Sequence, residues 1–272
     1  MGIVNKLKAI AKYVKYNGKI TLLSLGQIRS GCVLLNKKIV VTGGGSGIGL
    51  AMAKKFLSEG AEVVITGRNI EKLKQAEASI NNHNLHILQW DVVNTTEIDE
   101  KLLKALELLG GDINCFVNNA AFVAVQKETE DFWDSSFDTN AKALYFISKK
   151  VAEIFEKNNS GRVSKILNIS SLSAFLNNSN PYGISKECVN RITKGMAKEC
   201  ASKNILINAI APGYTDSSIN RQNFEENAYS SKSPLQRIIL PEDIAELATF
   251  LLSDAANAIV GQIIAVDGGT SL

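Results

Sequence analysis

The sequence predicts an α/β protein: one domain built on a doubly wound parallel sheet of about seven strands, with helices on both faces. Two observations support this fold class. Short runs rich in β-branched residues alternate with longer stretches of helical periodicity, and the short runs are apolar almost throughout, as in strands buried on both faces. The length of 272 residues and the hydrophobic content of 45% suit one domain with a sizeable core.

The elements follow one another in regular alternation. The predicted strands are 38–43, 61–67, 85–90, 113–119, 163–170, 205–213 and 263–269. The predicted helices are about 47–59, 69–81, 95–109, 130–157, 181–202 and 241–253. Ligands of such a sheet bind beyond the carboxyl ends of the strands. The polar region 214–240 has little pattern, and we expect a long loop over that edge.

The charge of the chain is unevenly distributed. Residues 1–38 contain eight Lys or Arg residues and no acid, whereas the remainder has 22 basic and 27 acidic residues, a net charge of −5. The body of the protein is therefore not predicted to bind nucleic acid. The four cysteines are scattered without a C-x-x-C pair, which indicates a reducing compartment and no disulfide framework.

No metal site or membrane span is predicted. His83 and His86 lie near an apolar run, with no carboxylate or cysteine at ligand spacing. No uninterrupted apolar run reaches the ~20 residues needed to cross a bilayer. We therefore expect a cytoplasmic protein.

Residues 1–36 are predicted to be a basic amphipathic extension that precedes the α/β domain at 37–272. Its apolar residues on one helical face are Ile3, Leu7, Ile10, Ala11 and Val14. Three interpretations remain open. The segment lies on an anionic membrane surface, directs the protein to an organelle, or packs on the domain or on a neighbouring subunit.

A glycine-rich stretch, TGGGSGIG, follows the first strand and opens a helix. Gly43, Gly47 and Gly49 have the spacing G-x-x-x-G-x-G. Glycines allow a backbone to approach a pyrophosphate, and a helix N-terminus offers unpaired N–H groups and a positive dipole. The position of this turn between strand and helix predicts a dinucleotide site.

A tyrosine and a lysine lie four residues apart in NPYGISK, residues 180–186. On a helix, Tyr182 and Lys186 share one face. A cation so close favours the phenolate, which predicts a tyrosine pKa below its reference of about 10. The pair is a candidate for proton transfer near neutral pH, and the alternative is an exposed helix face.

Five motifs in order resemble the short-chain dehydrogenase/reductase family over about residues 37–272. They are TGGGSGIG, NNAA (118–121), NISS (168–171), YGISK (182–186) and APGY (211–214). The resemblance implies a Rossmann-like NAD(P)-binding sheet and an oxidoreductase that interconverts a ketone or aldehyde and an alcohol. It also implies a homotetramer or homodimer built on the helices at 130–157 and 181–202.

The resemblance also implies the contacts of the cofactor. The three glycines of the G-x-x-x-G-x-G pattern would lie under the pyrophosphate, Asp91 would bind the adenine amino group, and Asn118 would line the groove. The further implied contacts are Ser46, Ile48, Val92, Tyr182, Lys186, Pro212, Gly213, Thr215 and Ser217. Relatives commonly have threonine at the position of Ser217, and because serine keeps the hydroxyl we expect its function to persist. They usually have glycine at the position of Ala121, where we expect only tighter local packing.

The end of the second strand predicts which dinucleotide is bound. NAD-specific relatives have an acid there that binds the ribose hydroxyls, whereas this chain has Gly67 followed by Arg68. A guanidinium pairs with the 2′-phosphate of NADP through charge-assisted hydrogen bonds. We therefore expect NADP(H) to be preferred to NAD(H).

The resemblance implies a catalytic role for each of three side chains. Tyr182 would be the general acid in reduction and the general base in the reverse direction. Lys186 would hold the nicotinamide ribose and lower the pKa of the phenol. A serine would polarise the carbonyl; by position it is Ser171, with Ser170 and Ser173 left open because the spacing to the tyrosine is slightly short.

Asn140 matches the asparagine that, in the family, anchors a water chain for proton relay. An asparagine inside a helix is unfavourable by propensity, and such a local conflict is typical of a functional position.

Two other functions remain open: a non-catalytic NAD(P)-binding regulatory protein on the same fold, and a dehydratase or epimerase that uses the same groups. The identity of the carbonyl substrate is not encoded in a readable motif.

Overall fold

The computed structural model describes residues 31–123, 129–158, 161–176, 179–215 and 228–272. The strands are β1 (Lys38–Thr42), β2 (Glu62–Gly67), β3 (Leu85–Gln89), β4 (Cys115–Asn118), β5 (Ser164–Ile169), β6 (Ile205–Pro212) and β7 (Ile263–Val266). They form one parallel sheet in the order β3-β2-β1-β4-β5-β6-β7. This sheet confirms the predicted fold class and each of the seven strand assignments.

Helices cover the sheet in the predicted places. They are α1 (Gly47–Ser58), α2 (Ile70–Ile80), α3 (Ile98–Leu108), α4 (Glu130–Phe137), α5 (Leu144–Lys157), α6 (Pro181–Cys200) and α7 (Pro241–Leu252). The single helix predicted at 130–157 is interrupted by a π-helical turn, Asp138–Ala143. Such turns are common at functional sites, and this one contains Asn140.

The core forms two layers because side chains alternate across each strand. Ile39 and Val41 of β1 pack with α1, α2 and α7 on one face of the sheet. Val40 packs with α3, α5 and α6 on the other face. The sheet is thus buried on both sides, as its near-continuous apolar strands predict.

The strand order places a ligand crevice at one position. β1 lies between β2 and β4, so the crossovers to its two sides run in opposite directions. The loops that follow these strands therefore separate at the carboxyl edge and leave a crevice, which is where open α/β sheets bind ligands.

The chain before β1 is held against the opposite edge of the sheet. Leu34 is fully buried, and its N–H donates to the carbonyl of Glu59 at 3.0 Å. Residues 1–30, which carry most of the proposed amphipathic extension, lie outside the described residues. None of the described helices is both long and apolar enough to span a membrane.

Candidate active site

A cavity of about 570 Å³ opens at the carboxyl edge of the sheet. Its walls come from the segments that follow β1, β2, β3 and β4. The predicted cofactor contacts that line it are Gly43, Ser46, Ile48, Arg68, Asp91 and Val92. The cavity thus lies at the change in strand order, where the fold predicts a ligand site.

Gly49 and Gly47 suit their positions in the turn for different steric reasons. A Cβ on Gly49 would lie 2.4 Å from the carbonyl oxygen of Gly43 and 2.6 Å from Nδ2 of Asn119, so α1 packs too closely for any side chain. Gly47 has a φ of +55°, and a Cβ there would meet no atom within 4 Å. Gly47 therefore leaves open space beside the turn, which suits the close approach of a ligand.

The N-terminus of α1 is suited to an anion. Ser46 is its N-cap in extended conformation, yet the Ser46 hydroxyl makes no capping hydrogen bond. The first turn of α1 contains no acid. The first N–H groups of a helix have no intrahelical acceptor, so this helix end presents donors and a positive dipole to the cavity.

The end of β2 brings positive charge to the cavity. Gly67, Arg68 and Asn69 line it together with Lys72 of α2. Arg68 is exposed, and within the described ranges its guanidinium forms no ion pair with a carboxylate. The Asn69 side chain caps α2 by accepting from the N–H of Lys72 at 3.1 Å.

The amide of Asn118 lies in the core and not in the cavity. Its Nδ2 donates to Ser148 Oγ at 2.9 Å and to Asn168 Oδ1 at 2.8 Å, and Asn168 donates in turn to Thr193 Oγ1 at 2.9 Å. The Asn118 side chain therefore does not line the 570 Å³ cavity, and the contact of residue 118 with a cofactor stays a prediction. Residue 118 still belongs to β4, where it is directed into the buried layer of helices.

The neighbouring Asn119 takes the position expected of Asn118. Asn119 lines the cavity, and its Nδ2 donates to the carbonyls of Thr42 and Gly43 at 2.9 and 3.1 Å. The Thr42 hydroxyl accepts from the N–H groups of Asn119 and Ala120, both at 3.0 Å. These bonds join the turn after β4 to the glycine turn. Sequence reasoning missed Thr42 and Asn119. For Asn119 a signal exists, because side chains alternate along β4 and residues 118 and 119 must point to opposite sides.

The tyrosine and lysine lie together at the start of α6. Asn180 caps this helix by accepting from the N–H of Gly183 at 2.7 Å, with Pro181 in the first turn. Lys186 is 2% exposed, and its Nζ lies 5.9 Å from the centroid of the Tyr182 ring. The same ammonium donates to the carbonyl of Ile169 at the end of β5, at 2.8 Å.

The predicted lowering of the tyrosine pKa is wrong. Burial raises the pKa of Tyr182 above its ordinary value, and the nearby Ser171 hydroxyl only partly opposes this effect. Burial lowers the pKa of the Lys186 ammonium to about 8. Desolvation therefore favours the neutral form of each group.

The hydroxyls of Ser170 and Ser171, two of the three candidate serines, have different surroundings. The Ser171 hydroxyl lies near enough to Tyr182 to lower the pKa of the phenol, and its Oγ accepts from the N–H of Ser173 at 3.1 Å. The hydroxyl of Ser170 is buried and lies 2.6 Å from Asn190 Oδ1. Of the two adjacent serines, only Ser171 faces the tyrosine.

Asn140 is buried in the π-helical turn beside this cluster. Its Oδ1 accepts from the N–H of Phe122 at 2.8 Å, and its Nδ2 donates to the carbonyl of Phe122 and to Ser185 Oγ at 3.1 and 3.0 Å. The Ser185 hydroxyl donates to the carbonyl of Tyr182 at 2.8 Å. Asn140 thus connects the loop after β4 to the first turn of α6.

The segment after β6 packs against the end of β7 and the loop that follows it. Pro212 is buried at the end of β6, and a Cβ on Gly213 would lie 2.6 Å from Cα of Asp267. Thr215 Oγ1 donates to the carbonyl of Gly213 at 3.0 Å. None of these three residues lines the 570 Å³ cavity. Ser217 lies outside the described residues.

The histidines and cysteines form no metal site in the described part of the chain, where no group of three or more His, Cys, Asp or Glu residues has suitable geometry. His86 Nε2 is 3.0 Å from Glu62 Oε1 on the neighbouring strand. This cross-strand pair lies away from the cavity.

Comparison with known proteins agrees with this architecture. Residues 43–271 match a family model described as enoyl-(acyl carrier protein) reductase. Human dehydrogenase/reductase SDR family member 4 is 34% identical over 248 residues, which cover 87% of this chain and 88% of the relative. The 3-oxoacyl-(acyl-carrier-protein) reductase FabG of Chlamydia trachomatis is 32% identical over 244 residues, with 87% and 98% covered.

Solved structures give the same result. The 3-ketoacyl-(acyl-carrier-protein) reductase from Brucella melitensis, complexed with NADH, has a TM-score of 0.78 and 28% identity, and the match covers 88% of this chain and all of that one. The family model spans most of the chain, and both sequence relatives exceed 30% identity over most of its length. The chain therefore belongs to the short-chain dehydrogenase/reductase family.

Proposed function

We propose that the protein is an NADP-dependent oxidoreductase that interconverts a ketone or aldehyde and an alcohol. The observation that carries the proposal is one cluster at the carboxyl edge of the sheet. In it the Ser171 hydroxyl lies beside Tyr182, and the Lys186 ammonium lies 5.9 Å from the centroid of the tyrosine ring. Family membership supports the reaction class.

The described residues suit a nicotinamide dinucleotide. The turn at Gly43, Gly47 and Gly49 and the free N-terminus of α1 would hold the pyrophosphate, with Ser46 as an additional donor and Ile48 as an apolar contact. Asp91 and Val92 would hold the adenine at the other end of the cavity. The bound cofactor would supply or accept a hydride.

The choice of NADP rests on charge. Arg68 and Lys72 both line the cavity at the end of β2, where Gly67 offers no carboxylate. Two cations favour a phosphate on the ribose, and an acid at this position would repel it. The NADH complex of the Brucella relative shows that the family fold also accepts the other cofactor, so a direct comparison of the two is required.

The side chains of the cluster divide the work of carbonyl reduction. The Ser171 hydroxyl would donate to the substrate oxygen and polarise the carbonyl. Because its pKa is raised, Tyr182 is protonated at neutral pH and would donate that proton to the same oxygen. Lys186 would bind the nicotinamide ribose beside the tyrosine. The Asn140–Ser185 connection would hold the first turn of α6 in place for a water-mediated proton relay.

The segment after β6 would bind the nicotinamide end. Pro212 and Gly213 shape the turn beside Asp267, and backbone groups near Thr215 would contact the carboxamide. Ser217 would add a hydroxyl donor.

The decisive test measures oxidation of NADPH and of NADH with a panel of ketones and aldehydes. We expect turnover with NADPH and a loss of roughly 10²–10⁴-fold in kcat for Tyr182→Phe, which removes the proton donor and keeps the ring. Cofactor binding by the variant is the control for folding. Undiminished turnover by Tyr182→Phe would refute the mechanism, and a clear preference for NADH would refute the choice of cofactor.

The surface of α4 and α5 supports an oligomer. Trp133 and Phe137 stack with ring centroids 4.5 Å apart, and Tyr145 and Phe146 form an edge contact at 5.3 Å. Trp133, Tyr145 and Phe146 are each more than a third exposed. Light scattering should give the mass of a dimer or tetramer, reduced by Phe146→Glu, and a monomeric wild-type protein would contradict this interface.

A further inference from the structure

The three residues at the end of β5 each contact a different residue of α6. The carbonyl of Ile169 accepts from Lys186 Nζ at 2.8 Å. The hydroxyl of Ser170 donates to Asn190 Oδ1 at 2.6 Å. The hydroxyl of Ser171, which is in extended conformation, lies beside Tyr182 and lowers the pKa of the phenol. Successive side chains of an extended chain point in opposite directions, which explains why neighbouring serines reach different turns of the helix.

The partners on α6 are spaced by four residues. Tyr182, Lys186 and Asn190 therefore occupy successive turns of roughly one face, which rotates slowly along the helix. Two of the three, Tyr182 and Lys186, belong to the proposed catalytic group. The third, Asn190, belongs to no motif, and nothing in the sequence alone singles it out.

The Ser170–Asn190 contact is short and lies on the buried side of α6. Ser170 is 2% exposed, and within the described residues the only other partner of its hydroxyl is the carbonyl of Lys186 at 3.3 Å. That carbonyl belongs to the residue whose ammonium reaches back to Ile169. Both contacts of the Ser170 hydroxyl thus hold the part of α6 that carries Lys186, while the N–H of Ser170 donates to the carbonyl of Ile210 on β6 at 2.8 Å.

We propose that Ser170 and Asn190 are positioning residues of the active site, which fix α6 against the end of β5 so that Tyr182 and Lys186 keep their places. This inference rests on the proposed function. Without the hydrogen bond, α6 is free to shift or rotate relative to β5. A displacement of the catalytic groups by about 1 Å lowers the reaction rate on the order of 100-fold.

The test compares Ser170→Ala, Asn190→Leu and Asn190→Asp with wild type. The leucine has a similar shape without an acceptor, whereas the aspartate keeps an oxygen that accepts from Ser170. Thr249→Val is the matched control, because Thr249 is fully buried in α7 and its hydroxyl donates to the carbonyl of Ala245 at 2.8 Å, away from the site.

We expect Ser170→Ala and Asn190→Leu each to lower kcat by roughly 10–100-fold, with little change in the Kd of NADPH and a shifted pH profile. The double variant should lose no more than either single variant, since both changes remove the same contact. Asn190→Asp should retain most of the activity at its own optimum pH. Thr249→Val should lose stability without losing kcat. If Ser170→Ala and Asn190→Leu lose no more kcat than Thr249→Val, the proposal is overturned. It is also overturned if the losses of the two single variants add fully in the double variant.

A second readout separates this inference from the proposed function. If the wild-type protein reduces no carbonyl in the panel, the proposed function fails by itself. The pKa of the Lys186 ammonium, followed by NMR of ¹³C-labelled lysine, then reports the position of α6. It should change in Ser170→Ala and Asn190→Leu and stay constant in Thr249→Val. An unchanged pKa in all variants would overturn the positioning role.

Discussion

Replacing Gly49 by alanine should damage both stability and dinucleotide binding. The added Cβ would lie 2.4 Å from the carbonyl oxygen of Gly43, where 3.4 Å is an ordinary contact, so α1 must move by about 1 Å. Asn119 Nδ2, at 2.6 Å from the same Cβ, must move as well and weaken its bonds to the glycine turn. Overpacking of this kind costs about 2 kcal/mol, which corresponds to a fall in Tm of about 4–8 °C.

The same displacement should weaken binding of the cofactor. A shift of about 1 Å at the N-terminus of α1 breaks a charge-assisted hydrogen bond to a phosphate, worth about 1.5–3 kcal/mol, or roughly tenfold to 100-fold in Kd. Urea unfolding measures the stability. Energy transfer from tryptophan to NADPH measures Kd, since Trp90 lines the cavity.

Gly45→Ala is the matched control. Gly45 belongs to the same turn, but a Cβ there would lie 3.4 Å from Leu73 Cδ2, an ordinary contact. We therefore expect it to change the free energy of unfolding by less than about 1 kcal/mol. If Gly49→Ala is as stable as Gly45→Ala and binds NADPH equally well, close packing of α1 on the turn is not what requires glycine.

Three further predictions concern charge and buried polar groups. Arg68→Ala should lower kcat/KM for NADPH by roughly 10–100-fold through the lost phosphate contact and leave that for NADH nearly unchanged. Lys74→Ala, on the helix that follows Arg68, is the control, and equal losses with both cofactors would contradict the assignment. Asn118→Leu should lower the free energy of unfolding by about 3 kcal/mol because it leaves Asn168 Oδ1 without its donor. The Kd of NADPH should stay within about threefold of the wild-type value. Weakened NADPH binding with unchanged stability would instead favour a contact of Asn118 with the cofactor. The pKa of Lys186 is about 8 in the fold and 10.5 in the reference state, so the unfolded chain binds more protons between these values and stability rises with pH across that window. In Lys186→Met, the free energy of unfolding measured with urea should rise less steeply from pH 8 to 10 than in wild type. Some rise should remain, because Lys165 also has a lowered pKa of about 8. An unchanged slope would show that Lys186 is not the titrating group.

Local pattern was sufficient for the fold. Strands of a parallel sheet are buried on both faces and therefore apolar throughout, so each run was recognisable without its neighbours. The glycine turn and the tyrosine–lysine pair were also recognisable, because each depends on spacing within a single element.

Contacts between elements were beyond the reach of local pattern. The side chain of Asn118 lies in the core while that of Asn119 lies at the cavity; alternation along β4 separates the two side chains, but only the packing of the helices decides which of them is buried. The pKa of Tyr182 is raised, because surrounding elements bury the phenol.

The sequence by itself thus determined the order of strands and helices, the glycine turn and the candidate catalytic residues, because periodicity and spacing are properties of short segments. Only the tertiary structure decided which serine faces Tyr182, which asparagine reaches the cavity, and that Ser170 and Asn190 join β5 to α6. Those features depend on the distance and rotation between elements far apart in the chain, which no local pattern records.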